Sequence, residues 1–101
     1  VIASLRQAAF CRWLGFDVAG VLPPGESVTP RDLDALAGLD AAAIVGNLQS
    51  DRREAERLGE RLNLPVAILS NFPGAPGYGE TYEDLAAANL ERLEKACAPR
   101  P

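Results

Sequence analysis

The sequence predicts an α/β domain: a four-stranded parallel sheet in the order 2-1-3-4 with helices on both faces. Three observations predict it. Four short apolar runs alternate with four stretches of helical spacing along the 101 residues. Within each run there is little polar alternation, as expected of strands buried on both faces. The stretches between runs are long enough for right-handed helical crossovers, and one reversal of direction gives the order 2-1-3-4. A chain of this length can bury one hydrophobic core but not two, so residues 1–101 are read as a single α/β domain.

Taken in order, residues 1–4 form the first apolar run and residues 5–14 a helix whose stripe is Ala9, Phe10, Trp13 and Leu14. That spacing assigns Trp13 to the core. Residues 16–22 are rich in β-formers and are closed by Pro23, Pro24 and Gly25. Thr29 then opens a second helix as a cap, with Pro30 at the first helical position and Asp32 at the capping-box position. Residues 41–46 form the third strand, and Ser50 and Asp51 start a helix with Ala55, Leu58 and Leu62 on one side. Residues 66–70 are the fourth strand. A Gly/Pro loop over 71–79 leads to a helix capped by Thr81, with a stripe of Tyr82, Leu85, Ala86, Asn89, Leu93, Ala96 and Cys97.

Composition narrows the function. Ten basic and fourteen acidic residues give a net charge of −4, and no Lys/Arg cluster stands out, which argues against a nucleic-acid partner. The apolar runs are too short to span a bilayer, so a membrane is reached only through an upstream anchor, if any. The chain contains no Met and opens directly on a strand, which leads to the expectation that it is part of a longer protein with its targeting signal upstream. With no His, the chain offers neither Ser-His nor Cys-His catalysis and no His metal ligand. The order 2-1-3-4 puts the first and last helices on one face, where Cys11 and Cys97 become neighbours. They are either two free thiols or one long-range disulfide.

In open parallel sheets ligands bind beyond the C-terminal strand ends, above all where strand order reverses. Here those ends carry Ser4, Asn47, Gln49, Ser50, Ser70, Asn71 and Phe72. Hydroxyls and amides hydrogen-bond a ligand well but are poor general bases and poor zinc ligands, and helix N-termini at the same edge favour an anion. The edge therefore reads as a binding surface, with Ser4, Asn47, Gln49, Ser70, Asn71 and Phe72 as ligand contacts, no catalytic residue, no metal ligand and no cofactor. Some of these also have a local role open to them. Ser4 with Gln7 spells a capping box, Ser50 can cap a helix, and Asn71 can cap a turn, whereas Asn47 and Gln49 have no evident capping duty. Glu26 and Glu80 fall in loops near the edge and read as solvated charges.

Several segments together resemble a family. Leu14-Gly15-Phe16-Asp17-Val18 after an aromatic-rich helix, the Pro-Pro-Gly-Glu loop and Thr29-Pro30-Arg31-Asp32-Leu33 are similar to the C-terminal lobe of periplasmic metal-type (zinc/manganese cluster) ABC-transporter substrate-binding proteins. The likeness continues through Gly46-Asn47-Leu48-Gln49-Ser50, Leu69-Ser70-Asn71-Phe72-Pro73-Gly74 and the closing helix with Tyr82, Asn89 and Leu93. It implies a two-lobed extracytoplasmic receptor, periplasmic or anchored as a lipoprotein, that holds a small ligand in the interlobe cleft. The partners implied are a missing N-terminal lobe and an ABC permease. It also sets Ser4 and Ser70 where metal-binding members supply a His and a carboxylate, and neither hydroxyl is a transition-metal ligand at neutral pH. The ligand expected is a metal, a metal complex or a small polar or anionic molecule. Two other expectations stand beside it: an accessory α/β domain of an enzyme, and a protein-interaction module using Phe72, Tyr78 and the Gly/Pro loop.

Overall fold

The computed structural model describes residues 1–22, 29–50 and 52–98. The predictions made for Pro23, Pro24, Gly25, Glu26 and Asp51 lie outside the described residues. Four strands, β1 (Ile2–Ser4), β2 (Gly20–Leu22), β3 (Ile44–Asn47) and β4 (Val66–Leu69), alternate with four helices, α1 (Leu5–Trp13), α2 (Pro30–Ala37), α3 (Arg52–Leu62) and α4 (Tyr82–Cys97). All strand pairs are parallel, and the sheet order is β2-β1-β3-β4. The fold class and strand order are those that the sequence predicts.

The alternation of side chains along the strands sorts the core into two layers. Val1, Ala3, Val45, Ala67 and Leu69 face one side, where they meet Ala8 and Cys11 of α1 and Leu93 of α4. Ile2, Leu22 and Ile44 face the other side, against Leu36 of α2 and Ala55 and Leu58 of α3. Helices thus cover both faces, and the first and last helices share one of them. Cys11 is fully buried, Cys97 packs against the same cluster, and both are free thiols. Burial pushes the Cys11 thiol up to about 11 from an ordinary 9.0, and Cys97 is also raised by burial.

Local chemistry sets the helix ends. The Thr29 hydroxyl accepts from Asp32 N at 3.1 Å, and Thr29 N donates to the Asp32 carboxylate at 3.2 Å, completing the capping box ahead of Pro30. Thr81 caps α4 through Asp84 N at 3.1 Å. Asn63, with φ at 55°, closes α3 in the left-handed region, and Leu64 N donates back to Gly59 O. Gly15, at φ 93°, does the same for α1, where Phe16 N donates to Cys11 O.

The structure corrects three readings of the core. Trp13 is not in it: the side chain is 77 % exposed, tilted against Phe10 with ring centroids 6.1 Å apart. The buried stripe of α1 is Gln7, Ala8 and Cys11, two positions earlier than the predicted one, so Trp13 and Ala9 fall on the solvent side while Phe10 and Leu14 pack partly on the core. Tyr82 likewise leaves its stripe, 69 % exposed at the first position of α4. The second strand is shorter than its run of β-formers, because Phe16 and Val18 pack on the core from an irregular segment before the ladder begins at Gly20.

Candidate functional site

The reversal of strand order falls between β1 and β3, so their C-terminal ends, Ser4 and Asn47, flank the topological switch point. Both side chains are buried there. Ser4 is the N-cap of α1, its hydroxyl accepting from Arg6 N at 3.4 Å. Asn47 caps the turn after β3: its Oδ1 accepts from Gln49 N at 2.9 Å. The capping duty that was not evident for Asn47 is therefore present.

From this point a hydrogen-bonded chain of amides runs across the edge to β4. Gln49 Nε2 donates to Ser70 Oγ at 2.7 Å, and Gln49 Oε1 accepts from Asn71 N at 3.0 Å. Asn71 Oδ1 accepts from Gln7 Nε2 at 2.8 Å. This contact separates Gln7 from the capping box predicted for it with Ser4, and takes Asn71 from the local turn role open to it. Ser70 Oγ also accepts from Phe72 N at 3.2 Å and donates to Phe72 O at 2.7 Å, so one donor and two acceptor positions of the hydroxyl are all used. Beneath it, Asn89 bridges the Ser70 main chain, Oδ1 taking the N–H at 3.1 Å and Nδ2 reaching the carbonyl at 3.0 Å.

The structure thus brings together Asn47, Gln49, Ser70, Asn71 and Phe72, while Ser4 stands at the neighbouring strand end. Ser50 N donates to Asn47 O, and α3 is described from Arg52. Glu80 is exposed, as read from sequence. Tyr78 differs from its expected part in an exposed patch. It is buried, its hydroxyl donates to Ile68 O at 2.5 Å, and the Arg92 guanidinium lies 3.9 Å over its ring.

Sequence reasoning gave Gln7 and Asn89 no ligand-site role, yet they position Asn71 and Ser70. A polar residue in the apolar stripe Leu85, Asn89, Leu93 was the signal available for Asn89. Between α1 and α4 the same network borders a groove of about 290 Å³, which Arg6, Phe10, Asn71, Tyr82 and Leu85 help to line. Phe72 is 58 % exposed and Leu5 53 %; both lie at this edge by their places after β4 and β1.

Chemically the site offers positioned amides, a guanidinium and aromatic surface. Among the described residues no three His, Cys, Asp or Glu side chains gather as a metal site, and no helix is long and apolar enough to cross a membrane. No protein-family model and no curated protein matches the chain.

Proposed function

We propose that the chain is a solute-binding lobe of an ABC importer, and that its strand-end edge is one wall of an interlobe ligand cleft. One observation carries the reading. The edge is rigid and polar at its centre, where Gln49 and Asn71 are held by Ser70 and Gln7, yet large apolar side chains, Leu5, Phe72 and Tyr82, stand exposed around it. Preorganised polar groups inside an apolar rim are what a ligand wall closed by a second body requires. The resemblance to metal-type binding proteins supplies the class. Gln49, Asn71 and Phe72 contact the ligand in this reading, and Ser4, Asn47 and Ser70 hold the backbone that presents them.

The ligand is not a bare transition metal held by this wall, because the hydroxyls of Ser4 and Ser70 cap backbone N–H groups. A metal complex or a small polar or anionic molecule fits the amides and Arg6. The test is a thermal-shift series with ferric citrate, molybdate, phosphate, zinc and manganese. It is run on this chain alone and on the gene product that includes the preceding lobe. A shift in the longer protein, with none in this chain alone, is the expected result. Tight binding by this chain alone, or an upstream sequence that encodes a catalytic domain, overturns the reading.

A further inference from the structure

A second surface lies away from the strand ends, along the free side of β4. The sheet order leaves β4 at an edge, paired only with β3 among the described residues. Pro65 O and Leu69 O turn inward, accepting from Ile44 N and Leu48 N at 2.9 and 2.8 Å. Ile68 O turns outward, since it accepts from the Tyr78 hydroxyl. The main-chain groups of a strand alternate in direction and each peptide is trans, so Val66 N–H and C=O and Ile68 N–H also point outward. They face a groove of about 670 Å³ whose floor is Val66, Ala67 and Ile68.

The walls of this groove are cationic. Arg52 of α3 stands on one side, Arg92 and Lys95 of α4 on the other, and no carboxylate of the described residues lines it. Arg52 pairs with Glu56 at 2.8 Å and Lys95 with Glu91 at 3.3 Å, but these are exposed pairs that exchange partners at little cost. Arg92 has no carboxylate partner among the described residues; it stacks on Tyr78 and donates to Gly77 O at 3.0 Å. A slot with open main-chain donors and an acceptor on its floor, flanked by helices, has the shape for one more strand.

We infer that the β4 edge is a docking site for an extended acidic peptide segment, which adds as a strand and sets carboxylates against Arg52, Arg92 and Lys95. A second copy of this chain is a poor occupant, because edge-to-edge pairing would bring the same three cations of each copy together. The site is independent of the strand-end reading, since none of its contacts involves Gln49, Asn71 or Phe72.

The probe is a fluorescein-labelled peptide of about seven residues alternating Glu and Val, titrated by anisotropy at low salt. Saturable binding is expected, with protection of the Val66 and Ile68 amides from hydrogen exchange. A Lys/Val peptide should not bind, and N-methylation of alternate peptide residues should abolish binding. The variant R92Q/K95Q should bind about fivefold more weakly. Because Arg92 also supports Tyr78, R52Q/K95Q serves as a second variant that leaves that stack in place, with the same direction expected. No saturable binding of the acidic peptide overturns the inference. So does undiminished binding of the N-methylated peptide, which would show charge attraction alone. Concentration-dependent dimerisation that blocks the peptide would assign the edge to a second copy instead.

Discussion

Asn89 shows what a single buried amide does for the strand-end edge. Its two hydrogen bonds to Ser70 fix the peptide that follows β4, and with it the hydroxyl that receives Gln49. Replacing it with Leu keeps the volume but leaves the Ser70 N–H and C=O buried without their partners. N89L should therefore destabilise the fold by about 2–4 kcal/mol in urea unfolding, more than an average hydrogen bond is worth. A loss below about 0.5 kcal/mol would mean that the bridge is replaceable. Cys11 gives a second residue-level expectation. Its folded pKa of about 11 lies above the unfolded value of 9.0, because burial disfavours the thiolate. The unfolded chain loses this proton first as pH rises. The stability is thus fully present below about pH 9 and is lost between 9 and 11, at a slope of up to roughly 1.4 kcal/mol per pH unit. The difference in slope between the native sequence and C11A isolates this contribution, and equal slopes would contradict it. Sequence alone marked most of the edge residues but not their duties. Asn47 and Asn71 carry the same amide, yet one caps a turn and the other holds Gln7 from the opposite end of the chain. Which of the two happens depends on contacts 64 residues apart, which local spacing does not encode.

At the scale of elements, the caps of α2 and α4 were legible and strand ends were not. Thr29, Pro30 and Asp32 act within one turn, so the pattern that names the cap also contains all its partners. The strand of residues 20–22 is bounded instead by register: Ile2 pairs with Gly20, and Phe16 and Val18 before it serve the core from outside the ladder. β-Propensity marks residues that suit a half-buried surface, and it extends past the last hydrogen bond of the ladder. The error over Trp13 has the same origin. Every aromatic near a helical spacing competes for the core, but the helix presents the face that its cap and the strand before it dictate, here Gln7, Ala8 and Cys11. Gly59 illustrates a close approach of elements that propensity would misjudge. It lies inside α3, where Ala would ordinarily favour the helix by about 1 kcal/mol. A Cβ at this position runs into Val66 of β4 and comes within 3.0 Å of Leu64 O. G59A should therefore lower stability by about 1–3 kcal/mol, read as a lower urea midpoint at unchanged slope. A stabilised variant would show that β4 yields more easily than the packing of α3 against it suggests.

For the molecule as a whole, the sheet order was legible because it follows from chain handedness and the apolar character of the strands, neither of which needs a partner. What covers the sheet's rim is a different matter, since exposure depends on neighbours. Phe72 was expected to face a ligand from its loop and Tyr82 was read as a stripe member; only the assembled fold shows both of them, with Leu5, exposed where the strands end. Apolar residues exposed singly are unremarkable; three of them around one rigid amide network are the kind of patch that an interaction site leaves on an isolated body. This distinction leads to a prediction that separates folding from function. Leu5→Ser, Phe72→Ser and Tyr82→Ser each remove contacts that the folded chain scarcely uses, so the free energy of unfolding should move by no more than about 0.5 kcal/mol in each case. If the proposed function holds, the same substitutions in a gene product that carries a second lobe should weaken binding of a small ligand, Phe72→Ser the most, because it follows directly on Asn71 and shares the Ser70 hydroxyl through its main chain. Titration calorimetry on the longer protein, beside urea unfolding of this chain, reads both quantities. Large losses of stability would place these side chains in the fold rather than at its interface, and unchanged ligand affinity in all three variants would remove the apolar rim from the binding wall.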